Sequence, residues 1–255
     1  MTASVFDSPM FTKLFPVGEA GRLFTHSTEI RAALLVLGTL AKVQGTRGDI
    51  PEDSAFFIHR SAIEVQVDPA GLADGVAQDG IYVPALVAAF AKAMEAPMHS
   101  KFLMQATSPQ DIADTALMLR LRQLLSQAET DLTALQGRMV VEPQLAALQT
   151  VKGTALHVAF VDDVATGEVI AEALKLGTPA SAPASVLAIS SCLATVAEAV
   201  VVDTPIAQAL CHSVLASNEL LHQRDGEADA RMTEQLCLPH IALGTLSLLQ
   251  MAIQG

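Results

Sequence analysis

Aromatic side chains are nearly missing from this sequence: 255 residues contain no Trp, one Tyr and nine Phe. The interior must therefore be filled by aliphatic residues and Met. Strands favour β-branched and aromatic residues, whereas Ala, Leu, Met and Gln favour helices, so this palette predicts an all-α fold. Charge is also scarce, at 16% of residues, and leans one way, with 27 acids against 15 bases and a formal net charge of −12. Low charge together with 51% hydrophobic residues excludes intrinsic disorder. The acidic balance argues against nucleic acid as a partner, because such a surface repels phosphate. Cysteine is limited to Cys192, Cys211 and Cys237. An odd number at wide spacing fits neither a disulfide framework nor a zinc motif, and reduced buried thiols are expected.

The most apolar run, Val186 to Val202, contains Ser190, Ser191, Thr195 and Glu198 and ends against Asp203. A lipid span needs about 20 apolar residues and tolerates a central carboxylate poorly. The run reads as a helix inside a bundle, and no membrane partner is expected. The N-terminus MTASVFDSPMFTKLF has no basic stretch followed by an apolar run, which predicts no signal peptide and a cytoplasmic protein.

Helical periodicity fills most of the chain. Ile30, Leu34, Leu37 and Ala41 share one face, with Gly45 and Gly48 read as its stop. Pro51, Glu52 and Asp53 open a second helix, acids standing where the dipole favours them. Asp68-Pro69, Ser108-Pro109 and Thr204-Pro205 share one start signal, a capping side chain followed by a residue that needs no N–H. From Pro109 to Leu135, the positions Leu117, Leu121, Leu124, Ala128, Leu132 and Leu135 form a bundle seam. Val186, Ile189, Leu193, Val196 and Val200 form another. Further helices are expected from Thr204 to His222 and from about Thr233 to Met251, the last bent at Pro239. The stretches Asp68–Gly80, Gly177–Ser185 and Gln223–Glu227 read as connections. The expected organisation is a helical N-terminal region (1–107), a long-helix bundle (108–225) and a C-terminal helical segment (226–255).

The chemistry points to Lys101–Thr115, KFLMQATSPQDIADT, a loop that delivers Thr107 and Ser108 to the start of a long helix. The amides and positive dipole end of such a start suit a carboxylate or phosphate. Ser108 and Asp111 also fit a capping box, and on spacing alone a purely capping role is the commoner one. Arg120 and Arg122 lie among the seam leucines as interface charges or anion binders, and Lys101 is a third cation near the loop. The seven His show no metal-binding spacing, Cys211 and His212 are adjacent and so point apart, and Asp162-Asp163 fits a solvated helix end.

The segment ATSPQDIADTALMLRLR resembles the GATSQD motif region of the fumarase/aspartase superfamily, most of all in the bacterial 3-carboxy-cis,cis-muconate cycloisomerases. Similar segments are Ser8–Phe15 (SPMFTKLF), Asp74–Val87 (DGVAQDGIYVPALV) and His222–Gly244 (HQRDGEADARMTEQLCLPHIALG). The resemblance implies an all-α bundle assembled as a homotetramer. It also implies closure of 3-carboxy-cis,cis-muconate to 4-carboxymuconolactone in protocatechuate breakdown, with neither metal nor organic cofactor. Thr107 and Ser108 match the motif's Thr and Ser and would bind substrate carboxylates. This chain departs from the pattern: Leu103 stands at the family's His, Gln105 at its Gly, and Pro109 is inserted after Ser108. The mobile loop of type SS-x-MP-x-K-x-NP has only Ser190-Ser191 as an echo, and those serines fit a packed helix in which they bond back to carbonyls. The residues that would move the proton are not assigned. A non-catalytic relative serving as an interaction or oligomerisation subunit is the alternative.

Overall fold

A computed structural model describes residues 4–223 and 227–255, with backbone alone at 227–229. Short 3-10 turns at Val5–Asp7 and Gly18–Phe24 precede α1 (His26–Arg47) and α2 (Glu52–Glu64). A 3-10 turn at Pro69–Leu72 leads into α3 (Ala73–Asp79), α4 (Val83–Ala93) and α5 (Pro97–Ser100). The helices α6 (Pro109–Leu135), α7 (Glu142–Thr154) and α8 (Val164–Leu174) follow. The chain closes with α9 (Ala182–Val200), α10 (Pro205–His222) and α11 (Glu227–Gln254). Among the described residues β pairing is confined to two isolated bridges, Gln136–Met139 and His157–Gly177. The fold is all-α, as the aliphatic palette requires.

The expected cap-then-proline start is seen at Thr204-Pro205, and α1 and α8 are capped by a side chain without the proline. Thr25, Asp163 and Thr204 each accept the backbone N–H three residues on, from Thr28, Thr166 and Ala207. Asp68 caps too, accepting from the Ala70 amide at 3.1 Å, but the turn it opens is 3-10.

Several boundaries differ from the sequence reading. Gly48 ends α1 in the left-handed region, whereas Gly45 lies inside the helix. A Cβ on Gly45 would stand 2.3 Å from that of Ala55, so this glycine serves the close approach of α1 and α2 and not a stop. The Asp68–Gly80 stretch contains α3; Gly75 lets it approach Ala85, and Gly80, at φ +69°, ends it. Ala182–Ser185 belongs to α9, and α11 begins at Glu227 and runs through Pro239. Of the expected Gln223–Glu227 loop, residues 224–226 lie outside the described residues, Gln223 caps α10, and Glu227 is helical.

Contacts group the chain into two units, neither continuous in sequence. One comprises Thr25–Leu121 and Leu156–Ala182. Its core joins Leu34, Leu37 and Leu40 of α1 to Ile58 of α2, Leu86 and Phe90 of α4, Ile112 of α6 and Ile170 of α8. Burying each such side chain contributes about 1.5–3 kcal/mol. The other comprises Met1–Phe24, Arg122–Ala155 and Pro183–Gly255, with Leu124, Leu132, Ile189, Leu193, Ile241 and Leu248 fully buried. There Phe6 lies 5.7 Å from the ring of His240 and 6.1 Å from that of Phe15. Cys192, Cys211 and Cys237 are free and buried in this unit, and burial pushes the Cys192 thiol up to about 11. Helix α9 and residues 230–254 are long and apolar enough to cross a membrane by length and composition alone; more than half of each is buried within the fold.

Candidate functional site at the start of α6

The loop before α6 is held in an unusual backbone path. Met104 and Ala106 have φ values of +54° and +53°, left-handed conformations that disfavour residues with a Cβ. Each costs about 1–3 kcal/mol and persists only where the surroundings impose it. Between them, the Gln105 carbonyl accepts a 2.7 Å hydrogen bond from Nε2 of Gln44, a buried residue of α1. The Gln105 side chain donates in turn to the Asp49 carbonyl at 3.5 Å. The carboxylate of Asp49 pairs with Arg47 at 3.2 Å, and Arg47 also reaches Asp163 at 3.7 Å and the Thr166 hydroxyl. The loop is thus fastened to the C-terminal end of α1.

Thr107 and Ser108 leave this loop in different states, although both are half-buried. The Thr107 hydroxyl donates to the Gln105 carbonyl at a long 3.3 Å. Ser108 is committed to the helix start: its Oγ accepts the Asp111 amide at 3.1 Å, and the Asp111 carboxylate accepts the Ser108 amide at 3.1 Å. Pro109 brings no N–H to the first turn. Burial raises the Asp111 carboxyl above its ordinary range; the Ser108 bonds oppose this, and the Asp162 carboxylate adds to it.

The three cations named from sequence do not gather at this point. Lys101 is exposed, with Nζ 5.0 Å from the Phe102 ring centroid. Arg120 lies about 18 Å along the axis from Ser108 at 1.5 Å per residue. It is buried and donates to Glu29 at 3.0 Å, bridging α6 to the start of α1. Arg122 is half-buried and belongs to the other unit.

Sequence reasoning missed Gln44, Arg47 and Tyr82. Tyr82, the only tyrosine, ends its side chain in a buried hydroxyl without a hydrogen-bond partner. Burial, with the Glu29 charge adding, makes that phenol far harder to ionise than usual, and Arg120 only partly offsets it. Asp114 faces the same phenol and accepts from Gln110 at 2.5 Å. Gln44 had one sequence signal, a polar residue on an otherwise apolar helix face.

The remaining sequence candidates resolve as packing and capping. Ser190 is fully buried and bonds back to the Leu187 carbonyl at 3.0 Å. Ser191 departs from that expectation, sharing a 2.9 Å hydrogen bond with Nε2 of His222. Asp163 caps α8, its carboxyl held below the ordinary range by the Thr166 hydroxyl and amide and by Arg47, while Asp162 is exposed.

Known proteins share this architecture at low sequence identity. No family model matches the chain, and no curated protein sequence does. Among solved structures, β-carboxy-cis,cis-muconate cycloisomerase from Acinetobacter calcoaceticus aligns with a TM-score of 0.81 at 19% identity, over 96% of this chain and 76% of that one. The 3-carboxy-cis,cis-muconate lactonizing enzyme of Pseudomonas putida gives 0.78 at 19% identity, over 96% and 75%. A fumarate lyase from Mesorhizobium sp. gives 0.68 at 16% identity, over 92% and 73%. The chain has therefore taken up the all-α fold of these muconate-acting enzymes and this fumarate lyase.

Proposed function

We propose that this protein binds a small polycarboxylate at the loop preceding α6 and acts as a cycloisomerase of the 3-carboxy-cis,cis-muconate type. The observation that carries the reading is the Thr107 hydroxyl, half-buried at the start of the long helix and held there by a loop in a strained path. The alignments of this chain with a muconate cycloisomerase and a muconate lactonizing enzyme support it. In such a reaction one substrate carboxylate oxygen forms a C–O bond to an activated double bond, and the neighbouring carbon takes a proton. The protein's task is to fix the carboxylates and exclude unproductive conformers, since orientation alone supplies much of the rate. Thr107 would donate to a carboxylate oxygen, with Ser108 shaping the helix start beside it; of the cations named from sequence, Lys101 is the exposed one close in sequence to the loop. The protein is proposed to be cytoplasmic and to work as a homo-oligomer, a tetramer by resemblance.

The test follows the conjugated absorbance of 3-carboxy-cis,cis-muconate with purified protein. Loss of absorbance that disappears in Thr107→Val supports the reading. Equal rates in the two proteins, or none in either, reject it.

A second reading is favoured by specific commitments in the structure. The Ser108 hydroxyl is spent on capping, Arg120 on Glu29, and Ser190 on a helix carbonyl. A relative that kept the bundle as an interaction or oligomerisation subunit would show no turnover and no monomer in light scattering.

A further inference from the structure

We infer that Gln44 is the positioning residue of this site, acting on Thr107 through the Gln105 carbonyl; the inference rests on the polycarboxylate reading above. Two donors share that one oxygen, Gln44 Nε2 at 2.7 Å and Thr107 Oγ1 at 3.3 Å, one on each lone pair. The shorter bond is the stronger. Gln44 thereby fixes the carbonyl against which the Thr107 hydroxyl rests, and with it the position from which that hydroxyl can meet a carboxylate.

Gln44 is itself firmly placed. It is 5% exposed, it lies next to Gly45, which packs against Ala55 of α2, and its own carbonyl accepts the amides of Gly48 and Asp49 that end α1. A buried amide is retained at such a position only when it is hydrogen-bonded. Its partner is the residue between the two left-handed positions, Met104 and Ala106. The amide therefore has a second effect: it holds the strained path against relaxation.

Gln44→Met keeps the volume and helix preference and deletes the donor. Gln44→Glu keeps the shape and makes donation depend on pH, since a protonated acid can donate to a carbonyl and a carboxylate cannot. Amide hydrogen exchange across 104–108 is read alongside 3-carboxy-cis,cis-muconate affinity. In Gln44→Met the Thr107 amide should exchange about fivefold faster, the factor for one net hydrogen bond, with exchange in α1 unchanged. Affinity should fall by a similar factor, with no further loss when Gln44→Met is added to Thr107→Val. Gln44→Glu should match wild type in acid and Gln44→Met near neutrality.

Unchanged loop exchange in Gln44→Met overturns the assignment, as does faster exchange in α1 equal to that in the loop. Loop exchange that responds while affinity does not also overturns it. If wild type binds no muconate yet the loop responds as described, the clamp stands and the polycarboxylate reading falls.

Discussion

Ser108 and Asp111 cap one another across the first turn of α6, each side chain accepting the other's backbone N–H at 3.1 Å. Ser108→Ala should lower stability by about 0.5–2 kcal/mol, read from urea or thermal unfolding, because a cap of this kind is lost. A neutral result would mean that the serine is held there for a ligand instead of the helix. Thr107→Val should leave stability within about 0.5 kcal/mol, since its one hydrogen bond is long and its side chain is not deeply placed. The two substitutions separate structural from binding effects at adjacent residues.

Arg120 and Glu29 form an ion pair at 3.0 Å, with side-chain exposures of 8% and 23%. Arg120→Met leaves the Glu29 carboxylate, next to the buried Tyr82 phenol, without its guanidinium and should destabilise by about 3 kcal/mol, the low end for a broken buried pair because Glu29 keeps some solvent and His26 at 3.4 Å. Adding Glu29→Gln should recover part of that loss. Chemical denaturation of both variants checks this, and a double variant no better than the single one contradicts it.

Glu129 and Asp131 stand on roughly opposite faces of α6 and should give opposite pH slopes. Hydrogen bonds from Lys152 and Gln149 hold the Glu129 carboxyl below its ordinary 4.5. Its contribution is present above that value and is lost as pH falls through the lower folded value. Burial raises the Asp131 carboxyl above its ordinary 3.8 despite bonds from Gln250 and Gln127. Its contribution is complete below 3.8 and is lost as pH rises through the raised value. Glu129→Gln should therefore lag wild type most near neutral pH, whereas Asp131→Asn should gain on wild type over the same rise. Melting temperatures from pH 3 to pH 7 check both; parallel slopes would contradict the assignment.

Glycines offer a paired test of packing. Gly45→Ala would place a Cβ 2.3 Å from that of Ala55 and should destabilise by about 1–3 kcal/mol. Gly153→Ala meets nothing within 4 Å on an exposed face of α7 and should stabilise by about 0.5–1 kcal/mol. Unfolding midpoints moving in the same direction would refute the packing argument.

The bounds of α6 could be read from sequence because Ser108-Pro109 states the start and the leucine spacing carries the helix to Leu135. Gly45 could not, since a glycine that ends a helix and one that lets another helix close in look alike until the neighbour is known. The capping of Ser108 was readable locally, three residues from its partner. The Gln44–Gln105 bond spans 61 residues, and the Arg120–Glu29 pair spans 91. No local pattern encodes a partner at that distance. The strain at Met104 and Ala106 was equally hidden, because neither residue type announces a left-handed conformation. Only Leu103, Gln105 and Pro109 hinted that the loop follows its own path.

The aromatic meeting of Phe6 with His240 has a consequence for how the chain is made. On the ribosome, Thr25–Leu121 can close as soon as residues to Ala182 have emerged. The unit containing Phe6 must wait for α11, the last of its own elements in chain order. Until then Phe6, buried in the finished fold, lacks His240 to pack against, and a bare aromatic on a nascent polypeptide is a feature that chaperones recognise.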